Sequence, residues 1–239
     1  MGVPTFHAIG SFASAGGTSA SPPLPVRSTN DILIAHIILT TGGKTFAVSG
    51  GWAIGNQIST GNVSAAWAWR VVDGAEAACP FTWSGSATGV MSCSSWTGAG
   101  STTAPFGATN KATANASTTA TAASLISTAN NSLEIAYIGV SNNNSPPLPT
   151  SFATATNASN GNGGYRLCYG TIFVSGSIGD SISDTIVSAN WATFAIELLG
   201  SGSPSGEPQN RYTGVCLQVL RSTNVQSGHT RFNMPMLGR

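Results

Sequence analysis

Apolar positions along the chain fall in short runs at strand spacing, and one run stands out. Asn30-Asp-Ile-Leu-Ile-Ala-His-Ile-Ile-Leu39 is almost continuously apolar, with isoleucine at four of its last eight positions. It opens after a turn-forming Asn-Asp and closes at Thr40-Thr-Gly-Gly43. A run of that length between turn signals predicts a strand buried on both faces. The phrase recurs later. Ser132-Leu-Glu-Ile-Ala-Tyr-Ile138 aligns with Asp31-Ile-Leu-Ile-Ala-His-Ile37, and Ala35 falls on Ala136. The two runs are expected to centre two related halves.

The remaining pattern supplies their neighbours. In the first half, Thr5–Phe12, Thr45–Val48 and Val63–Val72 read as strands, and Asp73-Gly74 ends the last of them with strong turn chemistry. Trp67, Trp69 and Val71 share one face there, a stripe that reads as core rather than as a sugar platform. Pro80–Trp83 and Val90–Trp96 are expected to pair as a hairpin. The second half answers at an offset near 100, through Tyr165–Val174, Ser183–Val187 and Trp191–Leu199. Gly98 to Leu125 is low in complexity and fits either an edge strand near Thr113–Thr121 or a long loop. No window carries an apolar stripe at helical spacing. The chain is therefore expected to be all-β: a jelly-roll-like β-sandwich of about eight strands in two pseudo-repeated halves, because four strands per half need a second layer to bury their apolar faces.

Composition sharpens this picture. Charged residues are 7% of the 239, well below the usual quarter, and Ser, Thr, Asn and Gly take their place. A chain this neutral either presents a hydroxyl- and amide-rich exterior or lives packed in an assembly. The net charge of +1 gives no bulk attraction to nucleic acid or acidic lipid. The charge is unevenly placed, however. The last 29 residues hold four arginines and no acid, while the remainder holds five bases and eight acids. Gly200–Pro208 has the composition of a flexible linker. The expected organisation is a sandwich domain over residues 1–200, a linker over 201–210 and a basic C-terminal arm over 211–239. In that arm Arg211, Tyr212, Arg221, Arg231, Phe232, Met234, Met236, Leu237 and Arg239 are the candidate partner-binding residues. Such arginines and apolar beads suit the surface of an acidic neighbour. The N-terminus lacks a signal-peptide pattern and no apolar run approaches 18 residues, so synthesis in a cytoplasm without a membrane span is expected.

Chemistry is sparse. Cys79, Cys93, Cys168 and Cys216 have no metal-site spacing, and buried thiols are expected, with a Cys79–Cys93 bridge as the alternative. No GxSxG, HExxH, EF-hand loop or GxxxxGK occurs. His7 and His36 have no evident catalytic partners. Asp180 and Asp184 sit four apart, the spacing of a carboxylate or calcium pair, but read as turn caps. Glu134 and Glu197 lie inside apolar strands and need partners, for which Arg70 and Arg166 are expected. Trp52 and Trp96 are spare aromatics for a glycan. No catalytic group, metal or cofactor is expected.

The order of Asn30–Ala35, Gly51-Trp52, Trp67–Val72, Gly74-Ala-Glu76 and Phe81–Gly85, with Trp191–Leu199 later, resembles a β-sandwich module of tailed-bacteriophage virion proteins. The resemblance covers roughly residues 3–200 and implies a jelly-roll-like structural protein of head or tail, without catalytic residues. The expected function is therefore a capsid decoration or cement protein. It would reside in the virion as a homo-oligomer, a trimer being one arrangement, bound to the major capsid protein or a tail protein. The alternative is a tail or head-fibre module binding host glycan.

Overall fold

The computed structural model describes residues 2–122, 124–142, 153–160, 163–172, 176 and 182–201. These residues form strands and no helix. The strands are β1 (Thr5–Ile9), β2 (Ala13–Ala15), β3 (Ser19–Ala20), β4 (Ile32–Leu39), β5 (Phe46–Ala47), β6 (Ala53–Ser59), β7 (Ser64–Val71), β8 (Phe81–Trp83), β9 (Gly89–Thr97), β10 (Phe106–Ala122), β11 (Ser132–Val140), β12 (Ala153–Asn160), β13 (Gly163–Ile172) and β14 (Ile182–Leu198). There are more of them than the expected eight, because the polar edge and crossover segments also pair.

The first main sheet has the order β1-β9-β4-β7-β6, with β2 also on β9. The second has the order β10-β14-β11-β13-β12. Every pairing is antiparallel. The two orders are the same when each half is numbered from its own first strand, and the registers agree residue by residue. Ala35 lies opposite Ala68 and Cys93, and Ala136 lies opposite Cys168 and Ala195. Phe6 faces Trp96 as Phe106 faces Leu198. Ser19 pairs with Thr82 on β8, as Ala120 pairs with Asp184 on β14. The internal repeat thus extends from sequence phrasing to strand pairing. One expectation fails: Pro80–Trp83 and Val90–Trp96 do not form a hairpin. β8 joins β3 and β5 in a small sheet, and β9 runs between β1 and β4.

Alternation of side chains explains how the layers stack. Ile32, Ile34 and Ile38 of β4 share one buried cluster with Leu133 and Ile135 of β11, Leu167 of β13 and Phe194 and Ile196 of β14. Equivalent residues meet across this interface. His36 stacks on Tyr137 with ring centres 4.7 Å apart, and Ile38 fills the space over Gly139. Phe6 of the first half stacks on Tyr169 of the second at 5.4 Å, while Phe106 meets Trp69 edge-on at 5.3 Å. A pseudo-two-fold axis therefore runs along β4 and β11, and the halves face each other as two copies of one sheet.

Each sheet also covers its outer face. Leu33, Ala35, Ile37 and Leu39 pack under the small sheet, against Phe46, Phe81 and Trp83. All eight side chains of β4 are consequently buried, as its sequence predicts. On the second sheet the far ends of β10 and β14 fold back. β10 shifts register around Ser117, and Ala116 there has φ 48°. Thr193 Oγ1 donates to Thr121 O at 2.9 Å and lies 3.4 Å from the carbonyl of Ala112, its register partner. That doubled ribbon places Ala120, Ile186 and Ala189 on Ala136, Ile138 and Val140.

Candidate functional site

At one end of the first sheet, where β4 begins and β7 ends, the chain gathers much of its scarce charge. Asp31 caps the turn before β4, and its Oδ2 accepts from Ser28 N at 2.8 Å. The same oxygen lies 2.6 Å from His7 Nδ1. His7 falls at the register shift of β1, between Phe6 and Ala8, and that irregularity accompanies the turn of its ring toward Asp31. Arg27 Nε donates to Glu76 at 2.9 Å, and the other oxygen of Glu76 accepts from the amides of Asp73 and Gly74. Arg70 donates to both oxygens of Asp73 at 3.0 Å and to the carbonyl of Gly50. These links tie the turn before β4, the end of β7 and the turn after β7 together, the Arg27–Glu76 and Arg70–Asp73 pairs meeting at Asp73.

The electrostatics follow from those bonds. The amide of Ala75 and then the Arg70 guanidinium hold the Asp73 carboxyl below the usual carboxylate range. Burial works against the charge on Glu76, but Arg27 and the two amides outweigh it and the carboxyl stays low. Both acids are ionised and matched by arginines at neutral pH. Beside them lies a recess of about 370 Å³, lined by Ala53, Trp69, Arg70, Asp73, Thr102 and Thr103, among others. Gly51, with φ 82°, closes the turn beneath it, and a Cβ there would sit 3.3 Å from the Arg70 guanidinium.

The stripe read as core divides at this point. Trp67 is 2% exposed, whereas Trp69 is half-buried and lines the recess. Trp52 and Trp96 are not available to a glycan. Both are buried, with their Nε1 atoms donating to Ala77 O and Ser94 Oγ. The expected acid–base pairing changes for Glu197 and for Arg70. Glu197 is satisfied by the amides of Ala108, Thr128 and Ala129 and the Thr128 hydroxyl, which pin the loop before β11 to β14. Arg70 serves Asp73 instead of either glutamate. Arg166 lies opposite Ile138, the position that Ala66 holds against Ile37, so it is not the counterpart of Arg70.

Cys79, Cys93 and Cys168 are free and buried, and burial pushes the first two thiols well up. Cys216, Asp180 and the arm residues Arg211, Tyr212, Arg221, Arg231, Phe232, Met234, Met236, Leu237 and Arg239 lie outside the described residues. Among the described residues no group of three or more His, Cys, Asp or Glu is placed to hold a metal ion. No protein family, curated protein or solved structure matches the chain.

Proposed function

We propose that the protein is a structural component of a tailed-bacteriophage virion, a capsid decoration or cement protein. Its folded body would sit on the particle as a homo-oligomer, and its C-terminal arm would tie it to a neighbouring virion protein. The observation that carries this reading is that the last described residues of the body are held in place while the sequence beyond them is basic. β14 ends at Leu198, Gly200 bridges to Ala99, and Gly100 N donates to Leu199 O at 2.8 Å. The chain beyond holds four arginines and no acid in its last 29 residues. A stiff body with a basic extension anchored at one end suits attachment to an acidic surface, through arginine pairs and the apolar side chains between them.

The jelly-roll-like reading rests on the resemblance to the phage module. A jelly roll passes one chain back and forth between both sheets. Here each half fills one sheet, so the likeness lies in layered architecture and strand phrasing and not in strand order.

The test is a deletion of residues 211–239. The shortened protein should keep a cooperative unfolding transition yet be lost from purified particles, with mass spectrometry of separated heads and tails locating the intact protein. Full occupancy by the shortened protein would overturn the arm, and absence of the intact protein from both fractions would overturn the virion reading.

A further inference from the structure

The recess beside Arg70 goes beyond the attachment role, because nothing in that role uses it. We propose that it binds a sugar ring of a neutral glycan. Three features select that chemistry. Trp69 supplies an amphipathic aromatic wall, one side of which is occupied by Phe106 at 5.3 Å. Thr102 and Thr103 are exposed residues of the lining, and the Thr103 hydroxyl is held at 3.2 Å from Ser101 Oγ. Arg70 and Asp73 bring fixed donors and acceptors that already hold each other. A pocket with an apolar wall and a few placed polar groups is the usual form of a small-ligand site, and the volume of about 370 Å³ accommodates one ring.

The same geometry disfavours other ligands. The Arg70 charge is matched by Asp73, and its Nη1 is spent on Gly50 O, so an anion gains little there. A cation meets a single carboxylate already engaged by the guanidinium. A wholly apolar ligand would strand the polar lining. A neutral polyhydroxyl ring instead donates to Asp73, accepts from the threonines and lays its C–H face on the indole.

The internal repeat gives a control within the molecule. At the equivalent place on the second half, Tyr169 stands for Trp69 and Gly170 for Arg70. The position answering Asp73 at the same offset is Phe173. An aromatic is retained there as packing, while the charged pair belongs to one half alone. A scaffold requirement would have applied to both.

The experiment is calorimetric titration of the full-length protein with neutral hexasaccharides of glucose, mannose, xylose, galactose and N-acetylglucosamine, and with inorganic phosphate and heparin as charged probes. At least one neutral hexasaccharide should bind saturably at millimolar concentration or below. Asp73→Ala and the double change Thr102→Val with Thr103→Val should each weaken it at least tenfold, with the melting temperature within a few degrees of wild type. Trp69→Ala should abolish it. Should that variant not fold, the exposed-site variants decide alone. No saturable binding by any neutral sugar, binding by the charged probes only, or binding unaffected by the exposed-site variants would each overturn the proposal.

Discussion

His36 sits at the centre of the molecule with no hydrogen-bond partner among the described residues. Both ring nitrogens are buried without a hydrogen-bond partner, as are Trp67 Nε1 and Ser92 Oγ, which belong to its register neighbours on β7 and β9. Tyr137, stacked across the axis, leaves its hydroxyl unpartnered too, and Tyr165 lies beyond it with ring centres 5.7 Å apart. Burial lowers the His36 pKa to about 3. A folded-state value below the unfolded one means that the unfolded chain binds the proton first. Stability from this residue is therefore fully present above about pH 6.5 and is lost as pH falls toward 3. Between pH 7.5 and 5 the loss amounts to about 2 kcal/mol. His36→Phe keeps the stack and removes the titration. The unfolding free energy of that variant, from urea titration, should vary less between the two pH values by about that amount, since every other titratable group is common to both proteins. Equal pH dependence in the two proteins would show that His36 is not the buried neutral group described here. At this scale the sequence hid most of the candidate site. Trp69, Arg70, Asp73 and Thr102 each had an ordinary explanation on their own strand or loop, and only the approach of the turn before β6 and the turns after β7 and β9 brings them together.

Strands were legible in proportion to how deeply they are buried. β4 and β11 are near-continuous apolar runs because a layer covers each face, and β7 and β13 follow for the same reason. β6 and β12 went unread. Ala53-Ile-Gly-Asn-Gln-Ile-Ser59 and Ala153–Asn160 are edge strands, one side of each unpaired with any other strand among the described residues, and neither needs strong alternation to be held by β7 or β13. β2 and β3 are short pieces that pair with β9 and β8, and they correspond in register to parts of the single long β10. The pairing of the two central strands makes a sharper claim. Gly139 has no side chain because Ile38 occupies its place, and a Cβ there would lie 2.7 Å from Ile38 Cδ1 and 3.1 Å from its Cβ. Gly139→Ala should cost about 1–3 kcal/mol by overpacking, and Ile38→Ala about 2–5 kcal/mol by leaving a cavity. Together they should cost less than the sum by about 1 kcal/mol or more, because each relieves the defect of the other. A double-mutant cycle by urea unfolding measures this, and strict additivity would mean that the two strands do not meet along the axis.

As a whole, the molecule behaves as a dimer written in one chain. Apart from the Ala99–Gly200 bridge, main-chain pairing of the principal strands stays within each half, while the largest apolar cluster is shared between halves. Covalent order should then matter little, provided that each sheet is made from one continuous piece. The ends of the described body are already adjacent, with Gly2 N donating to Ser201 Oγ at 3.3 Å. The Ser101–Ala104 turn between the halves is exposed over most of its length and is held mainly by bonds within itself. A circular permutant that begins at Thr103, runs to Ser201, continues through a short Gly-Ser linker into Gly2 and stops at Thr102 keeps both sheets intact and exchanges one surface connection for its pseudo-equivalent. Loop closure changes little when one short link replaces another. The permutant should unfold cooperatively, with a stability within about 2 kcal/mol of the unpermuted 2–201 body. Opening the chain inside a half, at Gly74, separates β9 from β4 and β7 in sequence and should cost more, since the Arg70–Asp73–Glu76 network is cut with it. The ranking of the two permutants by urea midpoint is the decisive comparison. A Thr103 opening no better tolerated than the Gly74 opening would mean that the halves depend on their covalent order, and that the repeat is one of pattern without being one of structural units.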